Sequence, residues 1–404
     1  MVVDAKLDST SSGREILKYI HGCEGWRIKS KQLRMLVIFS DVTHSPQLIS
    51  ILEELQCQQV NLRVVFLSSG KSIVLNEMMN LGLQPLILEP KSKLSSLQYF
   101  FTIIFAIIRF KPRVVLTSGL FATVLGMISA RAAFVRRRVF IRHHSNYHHK
   151  YRLRLGQILD RVVNTIATDI IAVSPIVKKT LIHTESVNSQ KVFVIPNGID
   201  LKKFEEVSNQ GSNYKDSDKS IDKIFNIGIV SRLTHWKGVE YAAAAFVKLQ
   251  ENHPHSHLHI IGAFSDSYQR VLEILAPLKS DKYMIEEFNP SIPTFMQQLD
   301  VFIHVPIGPD EEAFGLVYIE AIASRVSCIF TLSGVLHELP DPSDYFEIVD
   351  YKEIDAIYNA LVERINVRSQ EKMGIPKSWL DQFSLEKMAK SYSDFIIKGN
   401  SNFV

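Results

Sequence analysis

The sequence predicts an α/β protein of two consecutive domains, each a parallel sheet covered on both faces by helices. Three observations carry that prediction. The chain has 404 residues, more than one hydrophobic core of ordinary size supports. Short β-rich runs alternate with longer helical patterns. A polar interruption falls near the middle, and the alternation starts again directly after it. Hydrophobic content of 46% and charged content of 22% belong to a folded chain, so disorder is not the default.

The first series opens with Arg34-Met35-Leu36-Val37-Ile38-Phe39, an apolar run that reads as a buried strand, followed by a helical pattern over 47–55. Strands are expected over 62–67, 85–88, 113–116, 138–141, 169–173 and 191–195, which makes residues 31–205 one Rossmann-like domain. Residues 1–30 precede it as an extension with scattered charges and no uninterrupted apolar core, unlike a secretion signal. Between 206 and 223 the chain is polar and nearly free of apolar residues, and reads as a linker or surface loop. Strands over 225–230, 257–261 and 301–304, separated by helical patterns over 239–249 and 267–275, make 224–375 a second Rossmann-like domain.

Cys23, Cys57 and Cys328 are odd in number, far apart, and form no CxxC pair, which argues against a disulfide framework or a zinc site and suits the cytoplasm. The net charge of +4 is unevenly spread. Residues 1–200 carry 26 Lys and Arg against 13 Asp and Glu, while 201–404 carry 20 against 29. No acidic residue falls between Phe101 and Leu159, a stretch that holds Arg109, Lys111, Arg113, Arg131, Arg136, Arg137, Arg138, Arg142, Lys150, Arg152 and Arg154. Such a surface suits an anionic partner, or is an ordinary solvated face. A nucleic-acid binder would interleave aromatics on a basic face or carry a known module, and neither is found. The apolar run at 99–108 stops at Arg109, well short of the roughly twenty residues that span a bilayer. The longer run at 114–134 is interrupted by Ser118-Gly119 and Arg131 and reads as strand, glycine turn and helix, so no transmembrane helix is expected.

In open α/β sheets ligands sit at the carboxyl ends of strands, which directs attention to the loops of the second domain. The strand ending at Val230 runs into Ser231-Arg232-Leu233-Thr234-His235-Trp236-Lys237-Gly238, placing two cations beside a helix start, where they suit a diphosphate. Further on, Glu312-Ala313-Phe314-Gly315-Leu316-Val317-Tyr318-Ile319-Glu320 sets two carboxylates eight positions apart. With a helix beginning near Gly315, Glu320 lies about one and a half turns inside it and Glu312 stays in the preceding loop. Each can accept hydrogen bonds from sugar hydroxyls.

Asn197-Gly198-Ile199-Asp200, the Arg232 and Lys237 loop, Gly262 after His257-Leu258-His259-Ile260-Ile261, and Glu312 to Gly315 with Glu320-Ala321-Ile322-Ala323 occur in an order and spacing that resembles retaining GT-B glycosyltransferases of family four over 110–395. Trp379, Phe383-Ser384 and Tyr392 resemble that family's closing helices. The resemblance implies a GT-B fold, two Rossmann-like domains facing an interdomain cleft, with residues 376–404 crossing back to the first domain. It further implies transfer of a sugar from a UDP- or GDP-linked donor with retention, without cofactor or obligatory metal. By the same resemblance Arg232 and Lys237 bind the diphosphate and Glu320 holds the ribose. Glu312 contacts the donor sugar, and the amides around Phe314, Gly315 and Leu316 seat the phosphate. His144, at the end of the strand over 138–141, falls where the family has a histidine facing the donor sugar, and its neighbour His143 stays an alternative.

The acceptor expected from the resemblance is a polysaccharide or lipid-linked glycan, at the inner face of the cell membrane through peripheral contact with anionic lipid. The alternatives are a GT-B epimerase or phosphorylase, or a nucleotide-binding scaffold without catalysis. Asp216-Ser217-Asp218 matches a metal-binding DxD pattern but sits in the polar linker with no strand before it. His143, His144, His148 and His149 could be taken for a metal cluster, but other ligand types are missing nearby in the sequence. The chain departs from the family where Ser40 to Pro46 replaces a glycine-rich loop, at Arg325 and Ser327 in place of Gly and Pro, and at Gly334-Val335 in place of two glycines.

Overall fold

The computed structural model describes residues 32–40, 44–67, 72–89, 95–145, 147–206, 224–367 and 375–399. The chain forms two compact units, Met1–Pro196 together with Met388–Val404, and Asn197–Lys387. The extension over 1–30, the DxD pattern and the polar run over 209–223 lie outside the described residues.

The first unit is built on β1 (Arg34–Ser40), β2 (Asn61–Leu67), β3 (Leu86–Leu88), β4 (Val114–Ser118), β5 (Arg137–Arg142), β6 (Asp169–Ala172) and β7 (Val192–Val194). They form one parallel sheet in the order β3-β2-β1-β4-β5-β6-β7. Helices cover both faces, so Met35 to Phe39 of β1 are fully buried and the strand reads as a continuous apolar run. The strand order reverses between β1 and β4, which makes their carboxyl ends the crevice where this architecture binds ligands. After β4, Gly119 leads straight into the Leu120–Ala132 helix, the strand, turn and helix expected of that apolar run.

The run over 99–108 lies within the Ser95–Phe110 helix. Tyr99, Ile103, Ala106, Ile107 and Phe110 are buried at helical spacing, while Leu97, Phe101, Phe105 and Ile108 face solvent. Among the described residues no helix is long and apolar enough to cross a membrane.

The second unit repeats the plan with β8 (Phe225–Val230), β9 (Ser256–Ile261), β10 (Tyr283–Glu286), β11 (Val301–His304), β12 (Ser327–Phe330) and β13 (Glu347–Ile348). Their order is β10-β9-β8-β11-β12-β13, again parallel, with the reversal between β8 and β11. The Val239–Asn252 helix lays Ala242, Ala243, Ala245, Phe246 and Leu249 into the core beside Ile227, Ile229 and Ile260.

The first unit ends at Pro196, ahead of the boundary expected at 205, and the return begins at Met388, later than 376. Hydrogen bonds explain the shift within the second unit. Ile199 donates its amide to the Phe383 carbonyl at 2.8 Å and Leu385 donates to the Ile199 carbonyl at 3.0 Å. Gly198 permits this close pairing, since a Cβ there would lie 2.6 Å from the Ser384 carbonyl oxygen. In the first unit the returning Leu385–Lys398 helix buries Phe395 against Phe193, ring centroids 5.0 Å apart, under the Arg137 guanidinium. Arg137 also donates to the Phe395 and Ile396 carbonyls at 3.0 and 2.8 Å.

Candidate functional site

The loops after β8 and β11 flank the reversal point of the second sheet, and they carry most of the residues singled out from the sequence. After Val230 the chain passes Arg232, makes a 3-10 turn over His235–Lys237, and enters the Val239–Asn252 helix through Gly238. Neighbouring loops fix this path. Leu233 donates to the Ala263 carbonyl at 3.0 Å, and Ile307 donates to the Trp236 carbonyl at 3.1 Å. Gly238 has φ +71°, and a Cβ on it would lie 1.9 Å from the Val305 carbonyl oxygen. Only glycine lets the loop after β8 rest against the chain leaving β11. The Arg232 side chain is exposed and makes no side-chain hydrogen bond or ion pair among the described residues.

Lys237 forms an ion pair with Glu312, which is 6% exposed. His304, the last residue of β11 and 2% exposed, places Nε2 at 2.8 Å from Oε1 of Glu312, the oxygen that also receives Lys237. Burial alone would raise the Glu312 carboxyl, but the Lys237 charge and then His304 override it and hold it at about 2. Glu312 is therefore ionised, and Nε2 of His304 is the protonated nitrogen that donates to it. The Glu312 amide donates to Ser333 Oγ at 3.1 Å, and that hydroxyl donates to the Pro309 carbonyl at 3.0 Å, so the loop backbone is fixed as well.

Gly315 has φ +84° and starts the Leu316–Ala323 helix, while Phe314 is buried with its carbonyl accepting the Val335 amide at 2.8 Å. Glu320 sits in the second turn of this helix, as its spacing predicted. It is half-buried and has no cation or hydrogen-bond donor on its carboxyl among the described residues. Burial pushes its pKa up to about 7. A carboxyl left without partners but still reachable is suited to accept hydroxyl groups from a ligand.

The histidines belong to the first unit. His143 follows β5, is exposed, and places Nε2 at 3.0 Å from Ser118 Oγ at the end of β4. His144 is half-buried and turned toward Asp160, its Nε2 at 3.6 Å from Oδ1, longer than a hydrogen bond. His148 bonds the same carboxylate through Nδ1 at 2.6 Å. Gly119, Leu120, Thr123, Phe140 and Val163 line a small recess beside them.

Here one premise of the sequence reading needs correction. Another ligand type does stand near the histidines, because the fold brings Asp160 from the Arg154–Ile166 helix to within 4.8 Å of the ligand atoms of His144 and His148. Asp160 is nevertheless already engaged. Arg142 bonds its oxygens at 2.9 and 3.3 Å and also pairs with Glu185. The cluster reads as a buried charge network, with Asp160 held well below the ordinary carboxylate range by His144, Arg142 and His148 against its burial.

The structure brings Lys237 and Glu312 together, and Phe314, Gly315, Leu316 and Glu320 follow Glu312 in one loop and helix. Sequence reasoning missed His304, Ser333 and Asp160. His304 resembled any strand-terminal residue, and its spacing from Glu312 carries no motif.

The sequence matches Glycosyltransferase Family 4 over residues 48–203 and Glycosyl transferases group 1 over 213–366. The capsular polysaccharide biosynthesis glycosyltransferase CapM of Staphylococcus aureus is 24% identical over 261 residues, 59% of this chain and 65% of that protein. An uncharacterised glycosyltransferase of Methanocaldococcus jannaschii is 23% identical over 193 residues, 45% of this chain and 48% of its own length. The chain thus spans less than two thirds of the length of either curated relative. Among solved structures, HepE of Anabaena in complex with UDP and glucose superposes with a TM-score of 0.72 at 16% identity, covering 90% of this chain and 100% of that one. Two parallel sheets with alternating helices and a returning C-terminal helix are the GT-B architecture, and the chain belongs to the group 1, family 4 glycosyltransferases.

Proposed function

We propose that this protein is a retaining glycosyltransferase that takes a sugar from a nucleoside-diphosphate donor bound by its second unit. The observation that carries the reading is the state of three groups at the ends of β8 and β11. Arg232 is exposed without an ion partner, Lys237 rests on Glu312, and Glu320 waits half-buried with a bare carboxyl. In the reaction the bond from the anomeric carbon to the diphosphate breaks, and an acceptor hydroxyl bonds to the same face of that carbon and gives up its proton to the leaving diphosphate. Negative charge grows on the leaving diphosphate, where Arg232, Lys237 and the helix-start amides of Phe314, Gly315 and Leu316 offset it without a metal. Glu312 sits against the sugar and Glu320 accepts the ribose hydroxyls.

The UDP held by HepE and the capsular polysaccharide in the name of CapM are what suggest a UDP-type donor and a polysaccharide acceptor. The stretch over 101–159 of the first unit supports a peripheral place on an anionic, cytoplasmic membrane face, because its exposed apolar side chains, among them Phe101, Ile108 and Leu155, stand among exposed cations in a run of sequence without acidic residues.

The test is a thermal-shift screen with UDP, GDP, ADP, CMP and their common sugars, with and without EDTA, on the wild type and Arg232→Ala. A shift for one nucleotide that survives EDTA and vanishes in the variant is expected. No shift with any nucleotide would point instead to a scaffold without donor binding.

A further inference from the structure

We propose that His304 is a positioning residue that takes over Glu312 when Lys237 turns to the donor's diphosphate, and that it takes up a proton as it does so. This rests on the reading that a nucleoside diphosphate occupies the Arg232 and Lys237 loop.

The geometry begins with one oxygen. Oε1 of Glu312 accepts from both Lys237 and His304 Nε2, so the buried carboxylate has two donors where one neutralises it and the other only orients it. Lys237 and Glu312 cancel in charge. When Lys237 is drawn to a diphosphate, Glu312 keeps its negative charge with no cation facing it, in a place where burial makes that costly. His304 alone remains in contact. A neutral imidazole keeps the hydrogen bond, and a protonated one restores the charge balance.

A second observation points the same way. His304 Nδ1 is buried and has no hydrogen-bond partner among the described residues. Buried ring nitrogens are ordinarily satisfied, and this one is the free position at which the ring can take a proton while Nε2 stays on Glu312.

The charged groups facing the ring are Glu312 from the loop after β11 and Lys237 from the loop after β8. Tyr318 meets the ring edge-on, centroids 4.8 Å apart, but its hydroxyl is occupied by the Thr331 carbonyl at 3.1 Å and brings no charge. Burial, and in smaller part Lys237, lower the basicity of His304, while Glu312 raises it. Moving Lys237 onto a diphosphate weakens one lowering influence and adds negative charge nearby. Both changes favour the proton, which comes from solvent onto Nδ1.

Isothermal titration of the full chain with UDP and with GDP, at pH 6.5 in two buffers of different ionisation enthalpy, tests this directly. His304→Gln can still donate to Glu312 but cannot titrate, so it should bind within a few-fold of wild type and take up fewer protons per ligand. His304→Phe loses the donor as well and should bind roughly tenfold more weakly. Proton exchange at Glu320 is common to wild type and His304→Gln and cancels in their difference. Equal proton numbers for wild type and His304→Gln, with binding intact, would overturn the inference and leave the donor site standing. Absence of binding by both nucleotides to folded wild type would remove the donor reading and this inference with it. Should His304→Phe fail to fold, the comparison with His304→Gln decides alone.

Discussion

Glu320 shows how one side chain can report on a site before any ligand is known. Burial lifts its carboxyl to about 7 with no opposing cation, so the folded protein prefers it protonated. Its contribution to stability is whole below the ordinary value of 4.5, fades as pH rises toward 7, and changes little above that. In Glu320→Gln that slope should shrink, as read from melting temperatures between pH 5 and 8. Glu338, raised to about 7 by the same cause, leaves part of the slope in place. Ribose hydroxyls donating to Glu320 would favour its ionised form, so nucleotide affinity should climb with pH up to about 7 in wild type and flatten in the variant. Equal pH profiles in both proteins would place the ribose elsewhere. At this scale the sequence displayed Arg232, Lys237, Glu312 and Glu320, because charged residues at strand ends and a helix start stand out along the chain. It did not display His304 or Asp160, whose meaning lies in partners eight or more residues away on other elements.

Among the elements, the contact between the loop after β8 and the chain leaving β11 fixes the loop that carries Arg232 and Lys237. Its narrow point is Gly238. Alanine there would need both a left-handed backbone and space that the Val305 carbonyl already fills. The backbone requirement alone costs about 1 kcal/mol or more, and the clash forces the two loops apart. Because Lys237 is the adjoining residue, Gly238→Ala should lower the melting temperature modestly and weaken nucleotide binding severely. A loss of stability with unchanged nucleotide affinity would show that the loop contact does not position Lys237. Elements were legible where apolar runs were long, as in β1 and β8. The strands β10, β12 and β13 were not: the edge strands β10 and β13 are only partly buried, and β12 begins with a half-buried serine, so none of them reads as a fully buried apolar run. The early boundary of the second unit was hidden for a related reason, since it depends on Ile199 pairing with Phe383 and Leu385 far along the chain.

Over the molecule as a whole, charge separates between the two halves of the chain, and the basic half also exposes apolar side chains. The Leu120–Ala132 helix packs against both the Ser95–Phe110 helix and the Arg154–Ile166 helix. From that group Leu97, Phe101, Ile108, Leu155 and Ile158 face solvent, each more than half exposed, and Phe134 is 83% exposed. Between Glu89 and the end of the Arg154–Ile166 helix the sequence has one acidic residue, Asp160, which is buried and paired with Arg142. Lys111, Arg113, Arg131, Lys150, Arg152 and Arg154 are exposed along the same stretch. An anionic bilayer would receive both features, with roughly 1 kcal/mol from each cation near the surface and further stabilisation from the buried apolar area. Flotation with phosphatidylglycerol vesicles should therefore carry the protein up at low salt and release much of it at high salt, whereas phosphatidylcholine vesicles should carry little. Arg152→Glu with Arg154→Glu should reduce binding most at low salt. Phe101→Ser with Ile108→Ser should reduce the part that survives salt, because that part depends on apolar contact. Binding to neutral and anionic vesicles alike would leave the apolar surface as the whole cause, and failure to float at low salt would remove the membrane from the protein's function.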